Sequence, residues 1–426
     1  MAETKTKTAQ KSNSNNTKKS GGNRSNSNKR PTEKQTQKKT EPKKTQQKAN
    51  SGKTQQKNDN QPETKRSALP IVFIVAGALL VITIICDILA RNVEGFGEFY
   101  ADGIYPFFVH TIGFINGLFP FAVGEILILL LIIGAVVGFI VFIISMAQSE
   151  NRKRLGAIAL AVVMCTGVFL YSSYTFFCGI NYHRVPFSQK SGLIPSKYSA
   201  EDLEKLCIYL IENANAAAEK ISYDEKGLMS VETEGFDMKA ECVTAMGRLS
   251  EKYSVLGGFY PAPKGVMASE FMSMCKILGI YDPFTIEANY NVNAPDFAIP
   301  FTLCHELSHL KGFMREDEAN FIAYLACRES DNEYLNYSGF SEALIYAMGQ
   351  YYSAAGAEKY TELYKTIHPA IIREMQNNNA YWKQYDTPVA KVSHKVNDTY
   401  LKVQGQNDGV KSYGRFVDLM LYDFLN

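Results

Sequence analysis

Three long apolar stretches between residues 67 and 180 constrain the fold of this chain most strongly. They extend over residues 69–89, 126–146 and 155–176, approximately, and the second and third contain no charged residue. Each is long enough to cross the roughly 30 Å hydrocarbon core of a bilayer as a helix. The first begins too far from the N-terminus for a cleavable signal peptide. We therefore predict a membrane region at residues 67–180 that holds three transmembrane helices.

The segment before the spans, residues 1–66, has a very different composition. It contains no Ile, Leu, Val, Phe, Tyr or Trp, and it carries 18 Lys and Arg against 5 Asp and Glu, although the whole chain has a net charge of only +2. Such a segment cannot bury enough apolar surface to fold. We predict a disordered basic tail that contacts anionic lipid, and we expect no nucleic-acid partner.

The basic residues beside the spans predict how the chain is oriented. Lys and Arg precede the first span and fill the 147–154 loop, whereas the 90–118 loop has one Arg against three acidic residues. Cytoplasmic loops carry an excess of Lys and Arg. The Phe-, Gly- and Pro-rich stretch 105–123 has fewer than the roughly 20 consecutive apolar residues that a helix needs to cross the membrane. We thus predict a multi-pass plasma-membrane protein with a cytoplasmic N-terminus, in which residues 181–426 lie outside the cytoplasm.

Residues 181–426 are numerous enough for one sizeable domain, and helical periodicity dominates them. The best strand candidate is Ile286 to Phe297. The predicted fold class is mainly α: three transmembrane helices followed by a mostly helical α+β domain. We predict that Ser199 caps a helix, that a second helix extends from Asp237 to Tyr253, and that Ser338 or Ser341 begins a third.

Cysteine usage leaves two states open for the domain. An extracytoplasmic location permits disulfides. However, Cys207, Cys304 and Cys327 fall in helical patterns where a small buried residue fits, and no CxxC spacing occurs. We therefore expect buried free thiols.

The sequence His305-Glu306-Leu307-Ser308-His309 is an HExxH motif. On a helix, positions i and i+4 lie on one face, so that both imidazoles can bind one Zn²⁺. The glutamate next to the first histidine then reaches the attacking water as a general base. Pro300 is placed near the start of this helix and Gly312 near its end. The alternative is a surface helix with two solvated histidines.

The following acidic segment, residues 316–318, offers a third ligand. Arg315 occupies the slot of a third histidine and cannot bind zinc. We predict Glu318 as the ligand, because it heads an apolar stripe and a buried carboxylate needs a partner. Glu316 and Asp317 are the alternatives. Asn320 is interpreted either as a group that orients a ligand histidine or as a surface amide. The apolar stripe consists of Phe321, Ile322 and Leu325.

Three segments carry a resemblance to known proteins: Tyr281–Asn289, Pro300–His309 and Glu316–Tyr324. Over roughly residues 68–426, the chain resembles an uncharacterised bacterial family of three-span membrane proteins with a zinc metallopeptidase domain. Its motifs, HExxH followed by EDEANF, are also similar to those of gluzincins, whose third ligand lies in an EAN or EAD helix. The resemblance implies a zincin-like domain in which His305, His309 and Glu318 bind one Zn²⁺ and Glu306 is the general base. It also implies that the edge of the strand at Ile286 to Phe297 pairs with substrate backbone. It implies no particular substrate.

The sequence therefore predicts a membrane-anchored zinc metallopeptidase that cleaves a protein or peptide substrate. The first alternative is a zinc-binding sensor or scaffold without proteolytic activity. Glu306 favours catalysis, since a structural zinc site does not need it. A transport function within the spans is disfavoured because they contain so little charge. Candidate donors for the developing oxyanion, which the sequence does not rank, are Tyr324, His394, Tyr413 and Arg415.

Overall fold

The computed structural model describes residues 68–193, 198–406 and 413–426. The predicted disordered tail, residues 1–66, lies outside the described residues. Residues Arg66–Asn426 form one compact unit. Its described residues are mainly helical and include one small sheet.

Helices of membrane-spanning length and composition occur at the three predicted places. They are α1 (Leu69–Asn92), α5 (Val123–Gln148) and α6 (Arg152–Tyr174). The third continues through a π-helical turn and a 3₁₀ turn, so that its helical run extends over Arg152–His183. A buried hydrogen bond of 2.7 Å between the hydroxyls of Thr83 and Ser172 joins α1 to α6. The expectation of three membrane-length helices is therefore met.

The segment between the first and second spans folds against the domain that follows the third. It contains α2 (Phe96–Gly103), α3 (Tyr105–Phe108), a π-helical turn (Val109–Gly113) and α4 (Phe114–Gly117). The buried Tyr105 hydroxyl lies 2.8 Å from the Tyr281 hydroxyl and donates to the carbonyl of Leu310 at 3.1 Å. The Asn116 side chain donates to the carbonyl of Thr285 at 2.7 Å. The domain predicted at residues 181–426 therefore packs together with this earlier segment.

One small sheet lies beside this segment. Its strands, β1 (Lys264–Val266), β2 (Gly279–Asp282) and β3 (Glu287–Asn291), have the spatial order β1-β3-β2. β3 is parallel to β1 and antiparallel to β2. The predicted strand 286–297 is thus too long, because β3 covers only Glu287–Asn291. Its expected role as an edge strand is also wrong, because β3 is central and pairs with a strand on each side. Among the described residues, the edge strand next to the HExxH helix is β2.

Glu287 connects this sheet to the second span. Its carboxylate accepts hydrogen bonds from the amides of Val123 and Gly124 in the first turn of α5, at 3.2 and 2.9 Å. The first amides of a helix have no partner within the helix, and a carboxylate there is also favoured by the helix dipole. Lys264 forms a buried ion pair with the same carboxylate.

The remaining helices surround the HExxH helix, α11. Their bounds are α7 (Phe187–Lys190), α8 (Ala200–Ala218), α9 (Met238–Lys252), α10 (Ser269–Met274), α11 (Ile299–Leu310), α12 (Glu316–Arg328), α13 (Glu333–Ala355), α14 (Ala357–Tyr364), α15 (Pro369–Lys383), α16 (Pro388–Val403) and α17 (Tyr413–Leu425). Short 3₁₀ turns occur at Ser254–Leu256 and Asp296–Ala298.

The capping predictions had mixed outcomes. Ser199 caps α8, as predicted, and the helix predicted from Asp237 to Tyr253 is α9, which Asp237 caps. The third prediction is wrong, because α13 begins at Glu333 and Asn332 caps it. Ser338 instead lies inside α13 and accepts a hydrogen bond of 3.0 Å from the amide of Phe301, in the first turn of α11. Ser338 therefore caps α11 and not the helix that contains it.

All eight cysteines lie in the described residues and are free thiols. Cys207, Cys304 and Cys327 are buried, so the expectation for these three is confirmed. The Cys304 and Cys327 sulfurs are 3.9 Å apart and pack between α11 and α12. They fill the side of α11 that faces the core.

Candidate metal centre

The two histidines of α11 and the first residue of α12 bring three possible ligands together. His305 and His309 lie one turn apart, with ring centroids separated by 4.5 Å and planes at 89°. The Glu316 carboxylate lies 3.4 Å from Nε2 of His305 and 3.7 Å from Nε2 of His309. One ligand atom from each residue lies within 4.8 Å of the other two.

Hydrogen bonds at the other ring nitrogens fix both imidazoles. Nδ1 of His309 lies 2.8 Å from the carbonyl of Phe313, and Nδ1 of His305 lies 2.8 Å from Oδ1 of Asn320. Because carbonyl oxygens only accept, each Nδ1 carries the proton and each Nε2 presents its lone pair towards Glu316. Asn320 thus occupies the orienting position that was one of its two interpretations.

The end of α11 supplies the carbonyl that orients His309. Gly312 has a φ of +85°. Its amide donates to the carbonyl of His309 at 2.8 Å, and the amide of Phe313 donates to the carbonyl of Ser308 at 3.2 Å. These two bonds form a Schellman motif, which requires the left-handed conformation that glycine adopts without strain. The expected helix end at Gly312 is therefore confirmed.

Glu318 does not point at the histidines. Its buried carboxylate accepts a hydrogen bond of 2.8 Å from the amide of Ser188 and one of 2.6 Å from its hydroxyl. The partner of this buried carboxylate is thus α7, which follows the third span. The carboxylate that lies beside the histidines is that of Glu316, so the structure does not bring the predicted ligand Glu318 to them.

The helical geometry of α12 explains why Glu316, and not Glu318, lies beside the histidines. Glu316 and Glu318 are two residues apart, which separates their side chains by about 200° around the helix. The apolar stripe below Glu318 packs into the core, whereas the histidines face the polar side of the first turn. Between the two glutamates, Asp317 pairs with Nε of Arg415 at 2.7 Å. The three adjacent acids therefore have three different partners.

Glu306 is buried beside the cluster, and its Oε2 has no hydrogen-bond partner among the described residues. Burial, followed by the negative charge of Glu316, raises the pKa of Glu306 to about 8. The edge strand approaches it closely at Gly279, where an added Cβ would lie 2.5 Å from the Glu306 carboxylate. Sequence reasoning missed Gly279, because nothing in its local sequence indicates which helix it contacts.

The charges within the cluster shift the pKa values of the two imidazoles in opposite directions. Burial, followed by the positive charge of His305, lowers the pKa of His309 to about 4. Burial is also the largest effect on the pKa of His305 and lowers it, but the hydrogen bond and charge of Glu316 outweigh it and the net shift is upward. A negative carboxylate between two imidazoles thus already attracts positive charge.

Sequence reasoning also missed two residues of α13, Glu342 and Tyr346. Burial raises the pKa of Glu342 to about 7. Burial and then the charges of Glu342 and Glu316 raise the pKa of Tyr346, so this phenol lies within electrostatic reach of both carboxylates. Both residues lie in a helix whose start the sequence placed too late.

The predicted oxyanion donors are scattered. Tyr324 is buried beneath the Arg328 guanidinium, which lies 5.3 Å from its ring centroid. Arg415 pairs with Asp317, and His394 is exposed on α16. The side chain of Tyr413 lies outside the described residues.

The chemistry and spacing of the donor set fit zinc. Two imidazoles and one glutamate are a common catalytic zinc set, which leaves one position open for water. Two ligand atoms bound tetrahedrally at zinc bond lengths lie about 3.3 Å apart. The distances from Glu316 to the two Nε2 atoms, 3.4 and 3.7 Å, are close to that value.

Comparison with known proteins agrees with the predicted family of unknown function. A family model described as "Protein of unknown function (DUF3810)" matches residues 100–421. The chain belongs to the DUF3810 family. The match begins within α2 and ends within α17, so the DUF3810 region contains the metal-centre helices and the segment from α3 to α4 that packs against them. No curated protein and no solved structure matches the chain.

We predict that Gly312→Ala lowers the stability of the DUF3810 protein more than Gly356→Ala does. Both glycines have positive φ, but an added Cβ at Gly356 meets nothing within 4 Å, whereas at Gly312 it meets Arg184 and Asn181 at 3.2–3.3 Å. Backbone strain alone costs about 1–2 kcal/mol, and Gly312→Ala adds crowding to it. Thermal unfolding of the full-length variants in detergent measures the difference. Equal losses would contradict this account of the turn.

Proposed function

We propose that this DUF3810 protein is a membrane-anchored zinc metallopeptidase with a zincin-like domain. In this proposal His305, His309 and Glu316 bind one Zn²⁺, and Glu306 is the general base. The convergence of the two Nε2 atoms and the Glu316 carboxylate within 4.8 Å, beside the buried Glu306, carries the proposal. The substrate is a protein or peptide.

Each residue has a defined task in this mechanism. When bound, Zn²⁺ polarises a carbonyl and lowers the pKa of water at the site towards about 7. Glu306 accepts the proton of the attacking water and then delivers it to the leaving amine. Phe313 and Asn320 keep the imidazoles in the required tautomer.

A zinc-binding sensor or scaffold is the alternative function. Structural zinc sites are usually closed by four protein ligands. Within the described residues the cluster has three. Glu306 is buried next to it with an unpartnered oxygen, which is costly unless the group is used. These two observations favour catalysis.

The packing of the connecting segments supports three crossings. Tyr105 and Asn116, between the first and second spans, contact Tyr281 and Thr285 of the domain after the third span. The two regions therefore share one side of the membrane, and the short link between α5 and α6 lies on the other. In our proposal the basic residues of that link make its side cytoplasmic and place the metal centre outside the plasma membrane. The basic tail then meets anionic lipid from the cytoplasmic side.

We predict that Glu306→Gln abolishes hydrolysis and leaves zinc binding unchanged. Glutamine cannot accept the proton of the water, and general-base catalysis contributes about 10²–10⁴-fold to the rate. The measurement is cleavage of mixed peptide substrates by the full-length protein in detergent, with zinc content determined on the same samples.

The matched control for this prediction is Glu212→Gln, which makes the same change on the exposed face of α8. It should retain wild-type activity. Full activity in Glu306→Gln would contradict the catalytic role, and wild-type protein that binds zinc but cleaves no peptide would favour the sensor or scaffold.

The topology is tested by protease treatment of intact cells that express the protein with a tag before residue 1. We expect the domain after the third span to be digested, because it lies outside, while a tagged fragment that holds the tail stays protected. Digestion of the tag while the domain stays intact would reverse the orientation.

A further inference from the structure

Helix α16 carries an apolar face whose valine side chains are about half to two thirds exposed. Val392 and Val396 are each 63% exposed. The spacing places the apolar residues on one side of the helix, because steps of three, four and seven residues return to the same face. The exposed members of this valine stripe are Val389, Val392, Val396 and Val403.

The valine stripe lies next to the end of the third span. The hydroxyl of Tyr400 accepts hydrogen bonds from the hydroxyls of Tyr174, the last residue of α6, at 3.0 Å and of Tyr182 at 3.1 Å. Gln404 donates to the Tyr174 hydroxyl at 2.7 Å. Val396 and Val403 lie one turn before and after Tyr400, so they flank the contact with the span.

Basic side chains border the valine stripe. Lys391 and Lys395 are exposed and lie roughly a third of a turn from the valines, as does Lys402, whose ammonium pairs with Asp398 at 2.6 Å. Lysines at such a border extend their ammonium groups to lipid headgroups while their methylenes cover apolar surface. An apolar stripe with a basic border is typical of helices that lie in the interface of an anionic bilayer.

A second apolar surface lies at the start of the second span. Phe271 of α10 is 64% exposed, and Met267 just before the helix is 66% exposed. The Glu125 carboxylate, in the first turn of α5, accepts hydrogen bonds from the amides of Met267 and Ala268 at 2.9 and 2.7 Å. Apolar side chains of the domain thus emerge at the ends of two different spans.

We propose that the valine stripe of α16 and the exposed side chains of Met267 and Phe271 lie in the interface of the anionic bilayer that holds the spans. The domain then rests on the membrane surface. The hydrogen bonds to Tyr174 and Glu125 place both surfaces beside span ends, and the lysines match anionic headgroups. A protein partner or a second copy of the chain explains neither placement. This proposal depends on the three crossings and is independent of peptide hydrolysis.

A single tryptophan makes the proposal directly testable. The chain contains one tryptophan, Trp382, so Trp382→Phe gives a background without indole fluorescence. Val392→Trp and Phe271→Trp then place a probe on each apolar surface. His394→Trp is the matched control, since it is exposed and lies about 200° from Val392 around α16. The full-length variants are compared in anionic phosphatidylglycerol nanodiscs with and without brominated acyl chains, which quench only indoles in lipid.

We expect brominated lipid to reduce the emission of Val392→Trp and Phe271→Trp by at least about twofold and to leave His394→Trp nearly unchanged. Equal, weak quenching at all three positions would overturn the proposal. Blue-shifted emission that brominated lipid does not quench would also overturn it, because a protein would then cover the surfaces. The zinc content and peptidase activity of the same variants test the proposed function separately, since no metal-centre residue is changed.

Discussion

The candidate metal centre depends on the hydrogen bonds that hold its two imidazoles by their Nδ1 atoms. Nδ1 of His309 donates to the carbonyl of Phe313, and Nδ1 of His305 donates to Oδ1 of Asn320. Each Nε2 faces the Glu316 carboxylate. Polar groups buried in this way are costly unless they are satisfied on every side. The protein satisfies the Nδ1 atoms. The Nε2 atoms and the Glu316 carboxylate have the charge and spacing that suit a divalent cation. Glu306, buried with a free oxygen at the same place, has its natural partner in the water of such a site.

This centre is built onto the end of the third span. Arg184, directly after the helical run of that span, donates to the carbonyl of Lys311 at 2.9 Å, and its guanidinium lies 3.9 Å from the ring centroid of Phe313. Both contacts are to the turn that orients His309. Arg184 also pairs with Asp102 of α2, at 3.1 Å. The segment between the first and second spans, the third span and the metal centre are therefore linked by one buried cation. The proposed contact of α10 and α16 with the bilayer extends this arrangement to the surface of the domain.

The features that follow from local sequence were predicted well. The apolar stretches, the caps at Ser199 and Asp237 and the end of the HExxH helix at Gly312 each depend on residues a few positions apart. The position of Glu316 beside the histidines did not follow, because an apolar stripe shows which face of a helix meets the core but not which carboxylate lies beside another helix. The packing of Tyr105 against α11 and the approach of Gly279 to Glu306 depend on contacts between distant segments. Ser338 shows the same limit, since it caps a helix other than its own.

Zinc content in a matched pair of variants tests the centre most directly. Glu316→Gln and Glu318→Gln make the same change two residues apart in α12, one at the proposed ligand and the other at the partner of Ser188. Elemental analysis of the full-length protein should find about one zinc per chain in the wild type and in Glu318→Gln, and much less in Glu316→Gln. Loss of zinc from Glu318→Gln with retention in Glu316→Gln, or wild-type protein without zinc, would contradict this account.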